Sequence, residues 1–135
     1  MALRDPTDRN LLRLEARRFA SRCDTQVALI QRADTLREVS RLANMSLPYS
    51  LTEDRMAHDA RRLALNAAED RARELISEQI AIFLKAEPVA HDKLKRGMVD
   101  TWANLTGPLG HLRPWAISRL ATVEQSLQQG LVTRG

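Results

Sequence analysis

Cysteine, glycine, proline and aromatic residues are all scarce in this chain of 135 residues. It contains one cysteine, five glycines, five prolines, two tryptophans, one tyrosine and two phenylalanines. Because a lone cysteine cannot form an internal disulfide, the disulfide-stapled class of small secreted domains is excluded. Helix breakers are rare while alanine, leucine and arginine are abundant, and this composition favours helix over sheet almost everywhere.

Long apolar runs are also missing. The longest, residues 80–84, has five residues, whereas crossing a bilayer takes roughly 18 to 20, so we expect no membrane span. The start of the chain lacks the apolar core of a secretory signal, which together with the unpaired cysteine predicts a cytoplasmic protein. An arginine-rich amphipathic start is also typical of organelle transit peptides, but Asp5, Asp8 and Glu15 argue against that interpretation.

The length suits one domain with one core. Hydrophobic residues make up 44% and charged residues 28% of the chain, close to the values of globular proteins. We therefore predict a single helical-bundle domain over 1–135. An excised domain of a longer protein is a further possibility, which nothing in the sequence tests.

Apolar residues recur at helical spacing along most of the chain. The apolar stripe moves to another side near residues 32–35. Asp34 or Thr35, with Glu38 three residues after Thr35, resembles a capping box there, so we expect a kink or a short break. Ser50 with Glu53 is a second capping-box candidate, after Pro48 has ended the preceding helix. The predicted fold is an all-α, elongated bundle of four to five helices with one or two long ones, at about 7–31, 35–45, 52–86, 88–105 and 114–129.

The predicted helix 52–86 is too long for a compact monomer. At about 1.5 Å per residue it would measure about 52 Å, whereas a compact domain of this size has a radius of gyration of about 14 Å. Its first half has a narrow, alanine-rich apolar stripe, and its last turns, residues 80–84, are apolar on every side, which predicts the core there. The overhanging half predicts association with a second copy as a homodimer.

Signatures of catalysis or metal binding are missing from the sequence. The histidines His58, His91 and His111 have no partner at metal-ligand spacing, no Glu-x-x-His pair occurs, and the sequence lacks glycine-rich phosphate loops and nucleophile motifs. We predict no catalytic residue, no cofactor and no metal. His91 is interpreted as a hydrogen-bonded boundary residue rather than a ligand or base, and Cys23 as a buried, inert thiol.

Arginine supplies most of the positive charge, with 18 arginines against three lysines and a net charge of +4. Both ends of the chain are basic and the middle is acidic. Arg9, Arg13 and Arg17 recur every four residues and could follow a row of phosphates. The alternative is a solvated face with internal pairs such as Glu15 to Arg18. A second group of candidate phosphate or partner contacts contains Lys93, Lys95, Arg96 and Arg113.

Trp102 and Trp115 flank a glycine- and proline-containing loop. They either pack across it or form an exposed anchor for a partner. The loop, residues 106–113, is longer than the three or four residues that a helix-turn-helix motif uses.

Three classes of function therefore remain. The first is a non-catalytic interaction protein, an adaptor, assembly factor or regulator that binds another protein. The second is a nucleic-acid-binding protein that contacts the phosphates of DNA or RNA. The third is a helical enzyme whose site the sequence does not reveal.

Overall fold

The computed structural model describes residues 6–130, with side chains from residue 8 onward. The predicted all-α bundle is confirmed, and all regular structure in this range is helical. The five α-helices are α1 (Pro6–Arg32), α2 (Leu36–Ala43), α3 (Arg55–Lys85), α4 (His91–Trp102) and α5 (Leu112–Gln128), with 3-10 turns at Tyr49–Leu51, Pro88–Ala90 and Gly107–Leu109.

The predicted break after the first helix lies at residues 33–35. Thr35 is the N-cap of α2, and its hydroxyl oxygen accepts a hydrogen bond from the backbone N–H of Glu38 at 3.1 Å. This bond satisfies one of the backbone donors that the first helical turn leaves unpaired. The apolar stripe changes side here because α1 and α2 are separate helices.

The predicted cap of the long helix, Ser50, was wrong, and the helix begins at Arg55 rather than at residue 52. Ser50 lies in a 3-10 turn that follows Pro48, and its hydroxyl donates to Glu15 at 2.7 Å. The N-cap of α3 is Asp54, which accepts from the backbone N–H of Ala57 at 2.8 Å. From this cap α3 runs for 31 residues, about 46 Å.

The bounds of the last two helices also differ from the predicted ones. Pro88 starts a 3-10 turn before α4 rather than α4 itself, and α4 ends at Trp102. The α5 helix begins at Leu112, two residues before Pro114, which is possible because proline lacks only a donor that the first turn leaves free in any case. Gly107 has φ +54°, a conformation that favours glycine, and so permits the turn between these helices.

Helices α1 and α3 run parallel to each other. Contacts follow the same order along both: Glu15 is bonded to Ser50 just before α3, and Arg71 farther along α3 donates to the carbonyl of Ala33 at 2.9 Å. Because α3 continues beyond the end of α1 to Lys85, the two helices together extend over roughly 60 Å. The described part of the chain is therefore elongated.

Two buried clusters fill the molecule. The main core surrounds the second half of α3, where Ile76, Ile80 and Phe83 pack with residues of α2, α4 and α5. The core predicted at residues 80–84 is confirmed, although Ile82 on the outer side of the helix is 62% exposed. The minor core lies between the first halves of α1 and α3 and is made mostly of small side chains: Ala16, Phe19, Cys23, Leu51, Ala57 and Ala64.

Candidate interaction surface

The second half of α1 and the middle of α3 form a shallow groove on one side of the molecule. We call it the α1–α3 groove. The side chains that line it are Asp24, Val27, Gln31, Leu63, Asn66, Ala67, Asp70, Arg71 and Glu74. Beneath it the two cores meet, since Val27 packs against the minor core and Ala67 against the main core. The segment 45–51 covers the minor core from another side.

Heptad spacing extends the groove toward the start of both helices. On α1, Arg17 precedes Asp24 by seven residues, so both lie on one face of the helix. On α3, Met56 precedes Leu63 by the same spacing. Leu63 is 61% and Met56 51% exposed, although both are large apolar side chains. The groove therefore has an apolar rim that no described residue covers.

The floor of the groove is made of small, half-buried side chains. In the parallel register of the two helices, Ala20 lies level with Ala60, and Val27 lies level with Ala67. Small side chains at such positions allow the backbone of a docked helix to approach closely. Groove and rim together suit helix-to-helix docking, one of the recurring modes of protein recognition.

The two ends of the groove carry opposite charge. Arg13 and Arg17 are exposed near the start of α1, whereas Asp24, Asp70 and Glu74 are grouped farther along. At the acidic end Arg71 donates to Glu74 at 2.9 Å and also lies 3.9 Å from Asp34, so part of that charge is compensated within the chain. The groove is thus basic at one end and mainly acidic at the other.

No family model, curated protein or solved structure matches this chain. Its function therefore has to be argued from its surfaces. Over residues 6–130, no helix has both the length and the apolar character required to span a bilayer. In the same range, no group of three or more histidine, cysteine or carboxylate side chains is close enough to hold a metal ion.

The first predicted group of arginines lies on the exposed side of α1. Arg9, Arg13 and Arg17 are all exposed, and none forms an ion pair with another described residue. The alternative pair of Glu15 with Arg18 was the competing interpretation, and in the structure Glu15 accepts its hydrogen bond from Ser50. The arginine row is therefore available for contacts outside the chain.

The second predicted basic group is largely used within the molecule. Arg113 donates to the carbonyl oxygens of Trp102 at 3.3 Å, Ala103 at 2.9 Å and Leu105 at 3.4 Å, and so satisfies the end of α4. Lys95 pairs with Glu124 at 3.1 Å. Arg96 donates at 3.4 Å to the carbonyl of Asp92, one turn before it, and Lys93 is exposed. These four residues do not form a single basic patch.

Trp102 is not an exposed anchor, and that alternative was wrong for this residue. It is fully buried in the main core, and its indole N–H donates to Oε1 of Gln79 on α3 at 2.8 Å. Burial with a satisfied polar atom is the usual state of a core tryptophan. The packing interpretation is the correct one.

Trp115 is half-buried and lies between two arginines. The guanidinium carbon of Arg73 is 4.8 Å and that of Arg119 is 5.7 Å from the ring centroid. Glu69 holds Arg73 at 2.7 Å, and Nε2 of His111 lies 3.3 Å from the other oxygen of Glu69. The hydrogen bond from Arg73 lowers the pKa of Glu69, and His111 adds to the effect. The ring of Trp115 therefore makes its cation–π contacts with arginines of its own chain.

The two other residues with reactive side chains have structural surroundings. His91 is stacked on Phe83 with ring centroids 4.4 Å apart, and its Nε2 lies 3.1 Å from the carbonyl oxygen of Ala86, as expected of a boundary histidine. Cys23 is buried in the minor core, and burial is the main cause that raises the pKa of its thiol. A raised pKa leaves little thiolate at neutral pH.

Proposed function

We propose that this protein is a non-catalytic interaction protein that associates with other protein helices through the α1–α3 groove. One observation carries the proposal: a groove with a floor of small residues and exposed Leu63 and Met56 on its rim. Large apolar side chains that are grouped at the surface mark interaction sites more often than isolated ones do. Binding would cover them.

The charges along the groove support a protein partner over a nucleic acid. A row of phosphates is negative along its whole length, whereas the groove changes from Arg13 and Arg17 to Asp24 and Asp70 along its length. A helix with charges of both signs can be complementary at both ends. We therefore place an adaptor, assembly-factor or regulatory role first.

Photo-crosslinking in the cells that produce the protein tests the proposal. A photo-reactive benzoyl-phenylalanine replaces Leu63 in one variant and Val89 in the other. Val89 is the matched control because it is apolar and 92% exposed but lies in the turn between α3 and α4. We expect defined protein adducts from position 63, identified by mass, and none from position 89.

Two results would contradict the proposal. The first is an absence of adducts at position 63 in cells where the protein is abundant. The second is the same set of adducts at both positions, because this pattern indicates random collision. Adducts that disappear on nuclease treatment would favour nucleic-acid binding instead.

Nucleic-acid binding remains the second candidate because of the exposed row of Arg9, Arg13 and Arg17. The row is about 12 Å long, enough for two or three backbone phosphates. If it binds phosphates, affinity for random duplex or single strands should fall steeply with salt, and replacing the three arginines with glutamine should flatten that slope. Undetectable binding at low salt would eliminate this candidate.

A further inference from the structure

Charge changes sign along the α1–α3 groove around an uncharged middle. In the parallel register of the helices, Arg13 and Asp70 are separated by about 26 Å along the groove, and Ala60 and Leu63 lie between them. Arg17 and Asp24 repeat the same order closer to the middle. The positive half and the negative half are therefore arranged about a central apolar point.

A surface of this kind is complementary to itself when one copy is turned end for end. A two-fold axis that crosses the groove between Ala60 and Leu63 brings Arg17 toward the partner's Asp24, and Arg13 toward the partner's Asp70. The symmetry repeats both pairs, as in every two-fold interface. A copy docked in the parallel direction would instead place like charges opposite each other.

The apolar middle of the groove also suits this arrangement. The Leu63 side chains of the two copies would meet near the axis, above the small residues Ala20 and Ala60, and lose their exposed surface to each other. Small residues at the contact allow the interhelical distance of about 8 to 10 Å that is usual in packed helices. No residue larger than leucine has to be accommodated at the centre.

The size of the surface is sufficient for a specific dimer. From Arg9 to the level of Glu74 it is about 38 Å long, and two adjacent helices are about 20 Å wide, so each copy offers on the order of 700 Å². Stable protein interfaces of standard size bury about 800 Å² per partner.

We propose that a second copy of this chain occupies the α1–α3 groove, docked antiparallel across a two-fold axis between Ala60 and Leu63. The inference rests on the proposed function, since it names the occupant of the same surface. The centre of the dimer contains four helices, α1 and α3 of each copy. The two helices of one copy are parallel to each other and antiparallel to those of the other copy. The cores around α4 and α5 lie at its two ends.

Two charge-reversed variants test the pairing directly. R13E/R17E reverses the charge of the basic end, and D24R/D70R reverses two charges of the acidic end. By sedimentation equilibrium we expect the natural chain to form dimers, and each variant alone to dimerise at least tenfold more weakly. An equimolar mixture of the two variants should form a heterodimer, because each then meets its opposite charge.

The control is R18E/R22E, which reverses two arginines of α1 at the same spacing but on another side of the helix. It should dimerise like the natural chain. Circular dichroism checks that all three variants remain helical. Since the mixture restores association only if both variants are folded, heterodimer formation cannot be mistaken for the effect of misfolding.

The inference is overturned if the natural chain is monomeric at every concentration up to about 1 mM, or if its dimer survives both charge reversals unchanged. A monomeric chain whose position 63 crosslinks to a different protein would refute the second copy but leave the proposed function standing. The second-copy proposal and the proposed function would both fail if position 63 gives no adduct at all.

Discussion

Trp102 is the largest side chain of the main core, and it is both fully buried and hydrogen-bonded to Gln79. We expect W102A to lower the free energy of unfolding by about 3 to 5 kcal/mol, because it leaves a large cavity. W102F should cost less, about 1 to 2 kcal/mol, because the ring is mostly replaced while the amide oxygen of Gln79 loses its donor.

Urea unfolding followed by circular dichroism measures both changes. Tyr49 provides the control, since it is an aromatic residue that is 93% exposed, and Y49A should change stability by no more than about 0.5 kcal/mol. Equal losses for W102A and Y49A would contradict the assignment of Trp102 to the core.

Glu69 links α3 to the loop before α5 through His111, and it also pairs with Arg73 on its own helix. Its folded-state pKa is lowered from the ordinary value of 4.5. A lowered pKa contributes stability that is fully present above pH 4.5 and is lost as the pH falls through the folded-state pKa. We expect E69Q to destabilise the protein at pH 7 by about 0.5 to 1 kcal/mol, since the pair is partly exposed.

Thermal unfolding of the natural chain and E69Q from pH 7 to pH 3 tests this expectation. The difference in melting temperature should narrow below pH 4.5. A difference that stays constant over the whole range would indicate that packing, rather than charge, is responsible for the effect of the substitution.

Cys23 lies in the minor core at 1% exposure, and the pKa of its thiol is raised mainly by burial. Both effects slow attack on a disulfide reagent, because the thiolate is the reactive form and it has to be reached. At pH 7.5 we expect labelling of the folded protein at least a hundredfold slower than labelling of the same protein in urea. Comparable rates in the two states would show that the minor core is open.

At the scale of the helix, the residue that caps α3 in the structure differs from the one that the sequence predicts. Asp54 accepts from the backbone N–H of Ala57 in the first turn, whereas Ser50 contacts Glu15. Removing a capping side chain costs about 0.5 to 2 kcal/mol. D54A should therefore lower the free energy of unfolding by about 1 kcal/mol and S50A by clearly less, as measured in urea. A larger loss for S50A than for D54A would instead support Ser50 as the capping residue.

Element type could be predicted along most of the chain because apolar spacing and composition agree. The position of the cap could not, because Ser50 and Asp54 are both residues that cap helices well. The 3-10 turn after Pro48 decides between them, and it uses Ser50 for a contact with α1. The capping preferences of individual residues are therefore compatible with several helix starts, and tertiary contacts determine which one forms.

Candidate site residues were predicted less completely than helices, since exposure depends on which elements meet. Trp102 and Trp115 are both followed by alanine, yet Trp102 is fully buried in the main core while Trp115 is half-buried and packs against it. Arg113 is a surface cation by sequence and a cap for α4 in the structure. The groove itself was missed, although Met56 and Leu63, seven residues apart, were its sequence signal.

For the whole molecule, association and stability should be linked if the α1–α3 groove holds a second copy. When folding and dimerisation are coupled, a hundredfold increase in protein concentration adds about 2.7 kcal/mol per mole of dimer to the free energy of unfolding. We therefore expect the urea midpoint of the natural chain to rise measurably between about 1 and 100 µM.

The charge-reversed variant R13E/R17E should have a midpoint that does not depend on concentration over this range, because its grooves repel each other. R18E/R22E should behave like the natural chain, since its substitutions lie away from the groove. The midpoint of an equimolar mixture of R13E/R17E and D24R/D70R should rise with concentration again. A midpoint of the natural chain that is the same at 1 and 100 µM would mean that the exposed Leu63 gains no stabilising contact from a second copy.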